Sequence, residues 1–365
     1  MSAPWGTIPF EGAPVAEWPL RTPAPEPPAG MAGVSVWVRN RLIDPPYWGH
    51  RHVVGVDDTP MWYGIGRMVA FVPPGEHRAE VRYRGAVQSA RTVRVRAGEV
   101  AEFEFWTPAT YGGSQGVLVP APARRRMGSG PALLWCTVLV LGAFYLLARS
   151  DPQTNAPVML LATAAAVVGP FLLAWAVSRV KRVIDQRYRV AASAEARETP
   201  PGTPGEAMFL GDGDAPAGLA DAAHGALVVT CVLKPDHRWN GRTGLVPIDS
   251  DPNAWVPAPA LTVDGHPRPF GYRTWGYRLT AGPHTLRITP RPPAQAPIGE
   301  RWSALPLPGI TPEIDAPPVD VPVQVAAGQV TRVTITVSAT TSVQVIAPSA
   351  AAPTVITGFR ATVSA

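Results

Sequence analysis

Charge is scarce in this sequence. Asp, Glu, Lys and Arg make up 16 % of its 365 residues, against roughly a quarter in ordinary globular domains. Lysine is nearly missing: Lys181 and Lys234 stand against 30 arginines, for a net charge of +5. The skew fits the codon usage of a high-GC bacterial genome better than a dedicated phosphate reader. The only cysteines, Cys136 and Cys231, exclude a disulfide framework and are compatible with a reducing compartment. No G-x-S-x-G, H-E-x-x-H, P-loop or dinucleotide fingerprint occurs. The expectation is therefore a non-enzymatic protein with no catalytic, cofactor-binding or metal residues to name.

What is present is apolar and rich in proline. Apolar residues reach 46 %, enough for a sizeable core, and 44 prolines disfavour long regular helices outside a membrane. Two uncharged runs stand in the middle, Pro131 to Ala148 with 18 residues and Val158 to Ser178 with 21. At a rise of 1.5 Å per residue each has the length for a bilayer core of about 30 Å. A nine-residue turn-forming loop, RSDPQTNAP, separates them. The expectation is a transmembrane helical hairpin, beginning too far into the chain for a cleaved leader.

Basic flanks orient such a hairpin. Arg124, Arg125 and Arg126 precede the first run; Arg179, Lys181 and Arg182, then Arg187 and Arg189, follow the second, while the loop between has only Arg149 beside Asp151. Arg124, Arg125, Arg126, Arg179, Lys181 and Arg182 form a candidate anionic-lipid flank, and the basic flanks as a whole place both chain ends and both β-domains in the cytoplasm, at the plasma membrane. Ala162, Ala165, Ala166 and Gly169 offer a small-residue face for packing within the hairpin or for a homo-oligomer. No ionisable residue lies inside either run, which disfavours a transporter.

On either side of this middle the chain repeats itself. VDDTPMWYGIGRMVAFVPPGEH, from Val56 to His77, aligns without a gap on VDGHPRPFGYRTWGYRLTAGPH, from Val263 to His284. Identities fall at Val56/Val263, Asp57/Asp264, Pro60/Pro267, Gly64/Gly271, Gly75/Gly282 and His77/His284. Further on, VRVRAGEVAEFEF (Val93 to Phe105) resembles VQVAAGQVTRVTITV (Val323 to Val337). Self-similarity of this kind signals duplicated structural units. Alternation at period 2 marks half-buried strands. A hairpin centred on Gly98 would set Val93 against Phe103 and Arg94 against Glu102. One centred on Gly328 would set Val323 against Val333 and Gln324 against Arg332. Earlier strands are expected at Val34 to Val38 and Ala226 to Val232.

The skeleton carried by Val263, Asp264, Gly265, Gly282, His284, Val323, Val325 and Gly328 resembles PEGA-type and related carboxypeptidase-regulatory-like domains. The likeness covers about 40 % of the chain, and Asp58 departs from it where glycine is usual. It implies small β-sandwiches that bind or space rather than catalyse.

Residues 1–32 read as a disordered Pro-rich tail, 33–108 the first sandwich and 109–130 a linker. Residues 131–148 and 158–178 are the membrane helices around the loop 149–157. Residues 179–224 are a basic, then flexible linker. Residues 225–347 are the second sandwich, with a Pro-rich insertion at 291–318. Residues 348–365 are a tail with a further strand at Val355 to Val363. The fold class is mainly β: two small antiparallel β-sandwiches joined by a two-helix membrane hairpin.

Several residues invite chemistry and are better read as structure. His50 and His52 have zinc-like spacing but no further ligands nearby. Asp212-Gly213-Asp214 lacks the rest of a calcium loop. His77 and His284 read as turn histidines bonding the backbone. Arg82, Arg84, Arg94 and Arg96 could form a stripe for phosphates, but Glu102 and Glu104 favour an ion-paired outer face and disfavour nucleic acid. The functional expectation is a membrane-tethered interaction or scaffold protein with an unknown protein partner. The alternative is a small-ligand-sensing regulatory subunit.

Overall fold

The computed structural model describes residues 7–10, 12–19, 22–38, 52–83, 85–106, 116–121, 207–211, 214–239, 255–293, 295–298, 301–304, 311–345 and 354–365, with the isolated residues 138, 142, 145 and 175. The strands belong to one compact unit formed by Met1–Trp106, Gly116–Pro122 and Ala192–Ala365. Thr107–Gln115 and Ala123–Ala191 make a second unit.

The first sandwich contains β1 (Ile8–Pro9), β2 (Val15–Glu17), β3 (Ala32–Val38), β4 (His52–Val56), β5 (Thr59–Tyr63), β6 (Gly66–Val72), β7 (Gly75–Tyr83), β8 (Ala86–Val95), β9 (Val100–Trp106) and β10 (Val117–Pro120). One sheet has the order β1-β5-β4-β7-β8, the other β10-β9-β3-β6-β2. The second sandwich contains β11 (Ala207–Gly211), β12 (His224–Trp239), β13 (Ala260–Val263), β14 (His266–Arg268), β15 (Arg273–Thr280) and β16 (Gly282–Thr289). It continues with β17 (Gln295–Ile298), β18 (Arg301–Ala304), β19 (Glu313–Asp315), β20 (Val319–Val325), β21 (Val330–Val345) and β22 (Thr354–Ser364).

Its sheets run β14-β13-β16-β20 and β11-β15-β12-β21-β22-β19. Eight strands therefore correspond from β3/β12 to β10/β22, and β2 corresponds to β11. The two copies share one topology, including a parallel pair in each: β3 beside β9, and β12 beside β21. Neither sandwich is purely antiparallel.

Period-2 patterning supplies both cores. Val34, Val36, Val54, Val56, Ala79, Val81, Val95, Phe103 and Phe105 meet between the first two sheets. Leu227, Val229, Val263, Leu286, Ile288, Val325, Ile335 and Val337 do so in the second. Full burial of each large aliphatic contributes about 1.5–3 kcal/mol.

The expected hairpins at Gly98 and Gly328 are not formed. β8 and β9 lie in different sheets, so the turn is an arch across the sandwich. Val93 pairs with His77 and Arg94 with Glu76, while Phe103 sits opposite Val36 and Glu102 opposite Ser35. In the second copy Val323 pairs with His284 and Gln324 with Pro283. Val333 there lies opposite Val229, and Arg332 opposite Val228. Alternation identifies a strand's buried face; it does not say whether the next strand continues the same sheet or crosses to the facing one. Both arches are pinned alike, Gly98 N–H to Met31 O at 2.8 Å and Gly328 N–H to His224 O at 3.1 Å.

The Pro-rich start contains two described strands. β1 joins one sheet and β2 the other, and Phe10 and Trp18 are buried. The insertion at 291–318 carries the β17–β18 hairpin and β19. A last strand is present at Thr354–Ser364.

The membrane hairpin is corrected. The described residues are mainly β, and no helix among them is long and apolar enough to cross a membrane. Apolar length permits a spanning helix without producing one. Of the two runs, only Val138, Gly142, Tyr145 and Trp175 are described. Arg124, Arg125, Arg126, Arg179, Lys181 and Arg182 lie outside the described residues, as do Ala162, Ala165, Ala166 and Gly169.

Candidate functional site

The two-residue turn after β4 has positive φ at both positions, 51° at Asp57 and 63° at Asp58; its counterpart after β13 has 51° at Asp264 and 78° at Gly265. This is the turn that matches strand twist, and glycine, Asn and Asp tolerate it best. Asp57 Oδ2 lies 2.6 Å from His77 Nδ1 and Oδ1 accepts Arg78 N–H at 2.8 Å, while His77 Nε2 meets Pro73 O at 2.7 Å. Asp264 repeats the clasp on His284 Nδ1 at 2.6 Å and Thr285 N–H at 2.8 Å, and His284 Nε2 meets Thr280 O at 2.8 Å.

Burial opposes charge at His284, but the bonds to Asp264 and to the Thr280 carbonyl outweigh it and raise its pKa. Burial likewise pushes the Asp264 carboxyl up, and the bonds from His284 and Thr285 bring it below its ordinary value. The recurring histidines thus hold turns, as their position after glycine suggests.

The turn's second residue separates the copies. Asp58 projects from the first sandwich onto the second. Its carboxylate accepts Ala258 N–H, with Oδ1 at 3.1 Å and Oδ2 at 2.9 Å, and its carbonyl accepts Trp255 Nε1–H at 2.8 Å. Arg82 Nη2 donates to Asp58 Oδ1 at 3.1 Å, and Arg291 also donates to this carboxylate.

β7 supplies the rest of the joint. Ala79 and Val81 enter the core, so Arg78, Glu80 and Arg82 share the outer face. All three are buried, Glu80 at 0 % exposure and Arg82 at 1 %. Arg82 Nε donates to Glu80 Oε1 at 2.8 Å and Nη1 to Val256 O at 2.6 Å. Its guanidinium carbon lies 3.4 Å from the centroid of the Trp255 ring and 5.2 Å from that of Tyr272. Trp255 packs with Phe10, Val53 and Tyr63.

Glycines provide the seats. A Cβ built on Gly55 would overlap the Trp255 indole, and one on Gly271 would overlap the Arg78 guanidinium. Arg78 Nη2 is 3.8 Å from Glu80 Oε2. At the neighbouring edge Arg273 Nη2 donates to Val87 O at 2.8 Å and also to Gln88 O.

Burial raises the Asp58 pKa and the Glu80 charge adds to it; Arg82, Arg78 and Arg291 oppose, without restoring the ordinary value. Burial also raises Tyr272, whose hydroxyl donates to Pro257 O at 2.9 Å, and the Cys231 thiol. Asp58, Arg82 and Tyr272 are arranged to hold main chain and one another.

The other sequence candidates do not converge. Arg82 is in the joint, Arg84 lies outside the described residues, and Arg94 and Arg96 are exposed. Glu104 is buried and Glu102 accepts from Arg67 at 2.5 Å, so no arginine stripe is assembled among the described residues. His52 packs 5.0 Å from Tyr83 and 5.5 Å from Phe105 by ring centroids, while His50 lies outside the described residues. Asp212 and Gly213 also lie outside them; Asp214 pairs with Arg332 at 3.7 Å. No group of three or more metal-ligating side chains occurs among the described residues.

Sequence reasoning noted Asp58 only as a departure and missed Gly55, Arg78, Glu80, Trp255 and Arg291 as a set. The available signal was divergence between the copies: Gly55/Thr262, Asp58/Gly265, Arg78/Thr285, Glu80/Arg287 and Arg82/Thr289. Compared with family models, with curated proteins and with solved structures, the chain matches none.

Proposed function

We infer that the chain is a non-enzymatic interaction protein whose two sandwiches act as one rigid body. The observation that supports this reading is the use of the charged face of β7. Arg82 and Asp58 bond the second sandwich directly, Arg78 is seated against its Gly271, and Glu80 holds the two arginines. A partner would therefore meet a single composite surface rather than two equal, independently tethered ones. The likeness to small binding and spacing domains is consistent with this. Its carriers Asp264, Gly265 and His284 form a turn and clasp that Asp57 and His77 repeat.

The test uses purified full chain as bait. It is expected to retain a partner protein in a defined complex. Arg82→Ala, which uncouples the sandwiches, is expected to weaken that complex at least about tenfold, a loss of about 1.4 kcal/mol. Arg287→Ala, at the equivalent of Glu80, is expected to leave it intact. Turnover of a substrate by the purified chain, or a complex indifferent to Arg82→Ala, would overturn the reading.

A further inference from the structure

We propose that the outer face of the β5-β4-β7 sheet is a recognition site for extended peptide segments of the pattern Trp-x-Pro, which the chain fills with its own Trp255-Val256-Pro257-Ala258. This rests on the reading that the charged face of β7 holds the second sandwich, and names the class of segment that face takes.

The first sandwich holds this segment as a receptor holds a peptide. Its polar contacts go to main chain or to the indole. Arg82 Nη1 donates to Val256 O at 2.6 Å, the Asp58 carboxylate accepts Ala258 N–H, and the Asp58 carbonyl accepts Trp255 Nε1–H. The side chain it reads is the indole, seated where Gly55 lacks a Cβ and covered by the Arg82 guanidinium at 3.4 Å. Val256 and Ala258 turn their side chains into the core of the second sandwich, so they do not specify the contact.

Pro257 lies between the two bonded main-chain groups. It brings no N–H to be left unpaired and fixes its own φ, which lowers the ordering cost of an extended ligand. Main-chain hydrogen bonds that hold an extended segment, with a pocket for one aromatic anchor, combine two common features of peptide recognition. The rest of the segment's environment comes from its own sandwich: Tyr272 donates to Pro257 O, and Arg291 Nε to Ala258 O at 2.5 Å. A segment presented in trans therefore needs Trp, any residue, then Pro, in extended form. It competes with an internal ligand whose effective concentration is on the order of millimolar.

The test weakens the internal anchor in the full chain. In Trp255→Gly the indole seat is empty while Asp58 and Arg82 remain. A synthetic peptide Asn-Ala-Trp-Val-Pro-Ala-Pro is expected to raise the melting temperature of this variant saturably. The rise is about 5 °C at a hundredfold excess over Kd. Wild type, its seat filled, is expected not to respond. The same peptide with Ala for Trp is expected to have no effect, and adding Arg82→Gln is expected to abolish the response.

Trp255→Ala, which leaves the seat open and keeps an ordinary backbone residue, serves where the glycine variant does not fold, with the same expected pattern. A folded variant that ignores the peptide, or responds equally to the Ala peptide, would overturn the site. That failure is distinguishable from failure of the functional reading, because the bait experiment uses the wild-type chain and does not depend on an open seat.

Discussion

The same face of the same strand has two fates in this molecule. On β7 it carries Arg78, Glu80 and Arg82 and is buried beneath the second sandwich; on β16 it carries Thr285, Arg287 and Thr289, with Arg287 exposed. The fold beneath is shared to the level of strand order and turn geometry. The duplication thus kept the residues that build a sandwich and changed those that decide what sits on it. Asp58 shows the trade. A non-glycine residue at positive φ costs on the order of 1 kcal/mol, and here its carboxylate bonds Ala258, Arg82 and Arg291. Gly265 avoids that cost in the copy whose turn makes no such joint.

The contrast breaks most sharply at the charges. Arg82→Ala removes at once the bonds to Glu80, Asp58 and Val256 O and is expected to cost about 3–5 kcal/mol. Thr289→Ala and Arg287→Ala are expected to stay within about 0.5 kcal/mol in the same urea titration. Next come the seats. Gly55→Ala forces the Trp255 indole to move and is expected to cost about 1–3 kcal/mol. The reciprocal change, Thr262→Gly, is expected to cost no more than about 1 kcal/mol, by thermal unfolding.

Where the copies agree, the effects are expected to agree. His77→Ala and His284→Ala each remove one clasp and are each expected to cost about 1–2 kcal/mol. The smallest effect is in pH. The folded Asp58 pKa is raised, so the native state holds this proton more tightly than the unfolded chain. Wild type is therefore expected to gain stability relative to Asp58→Asn as pH falls from neutral toward about 4. His284 is raised as well; its contribution is present below about pH 6.5 and is lost as pH rises through the folded pKa. The depressed Asp264 contributes above about pH 4 and loses its share as pH falls through the folded pKa.

Much of the β architecture was legible because its signals are local. Val34 to Val38, Ala226 to Val232 and Val355 to Val363 all fall within strands β3, β12 and β22. The repeat from Val56 and Val263 marked the corresponding turns and histidines. Strand partners were not legible, since Val93 and Phe103 alternate identically whether they pair in one sheet or face across two. The long apolar runs suggested a membrane hairpin that the described fold does not contain. The joint was hidden for a different reason: Arg82 and Glu80 on alternate positions are the ordinary pattern of a solvated face, and only tertiary packing of a segment some 170 residues away buries them. Its trace in the sequence was the set of positions where the copies disagree.

The charged face of the first sandwich binds the second. A protease site inserted near residue 200, between the sandwiches, allows the chain to be cut after folding and passed through size exclusion. The two pieces are expected to elute together from the wild-type background and apart when Arg82 is alanine. Separation of the wild-type pieces, or co-elution unaffected by Arg82→Ala, would contradict the account.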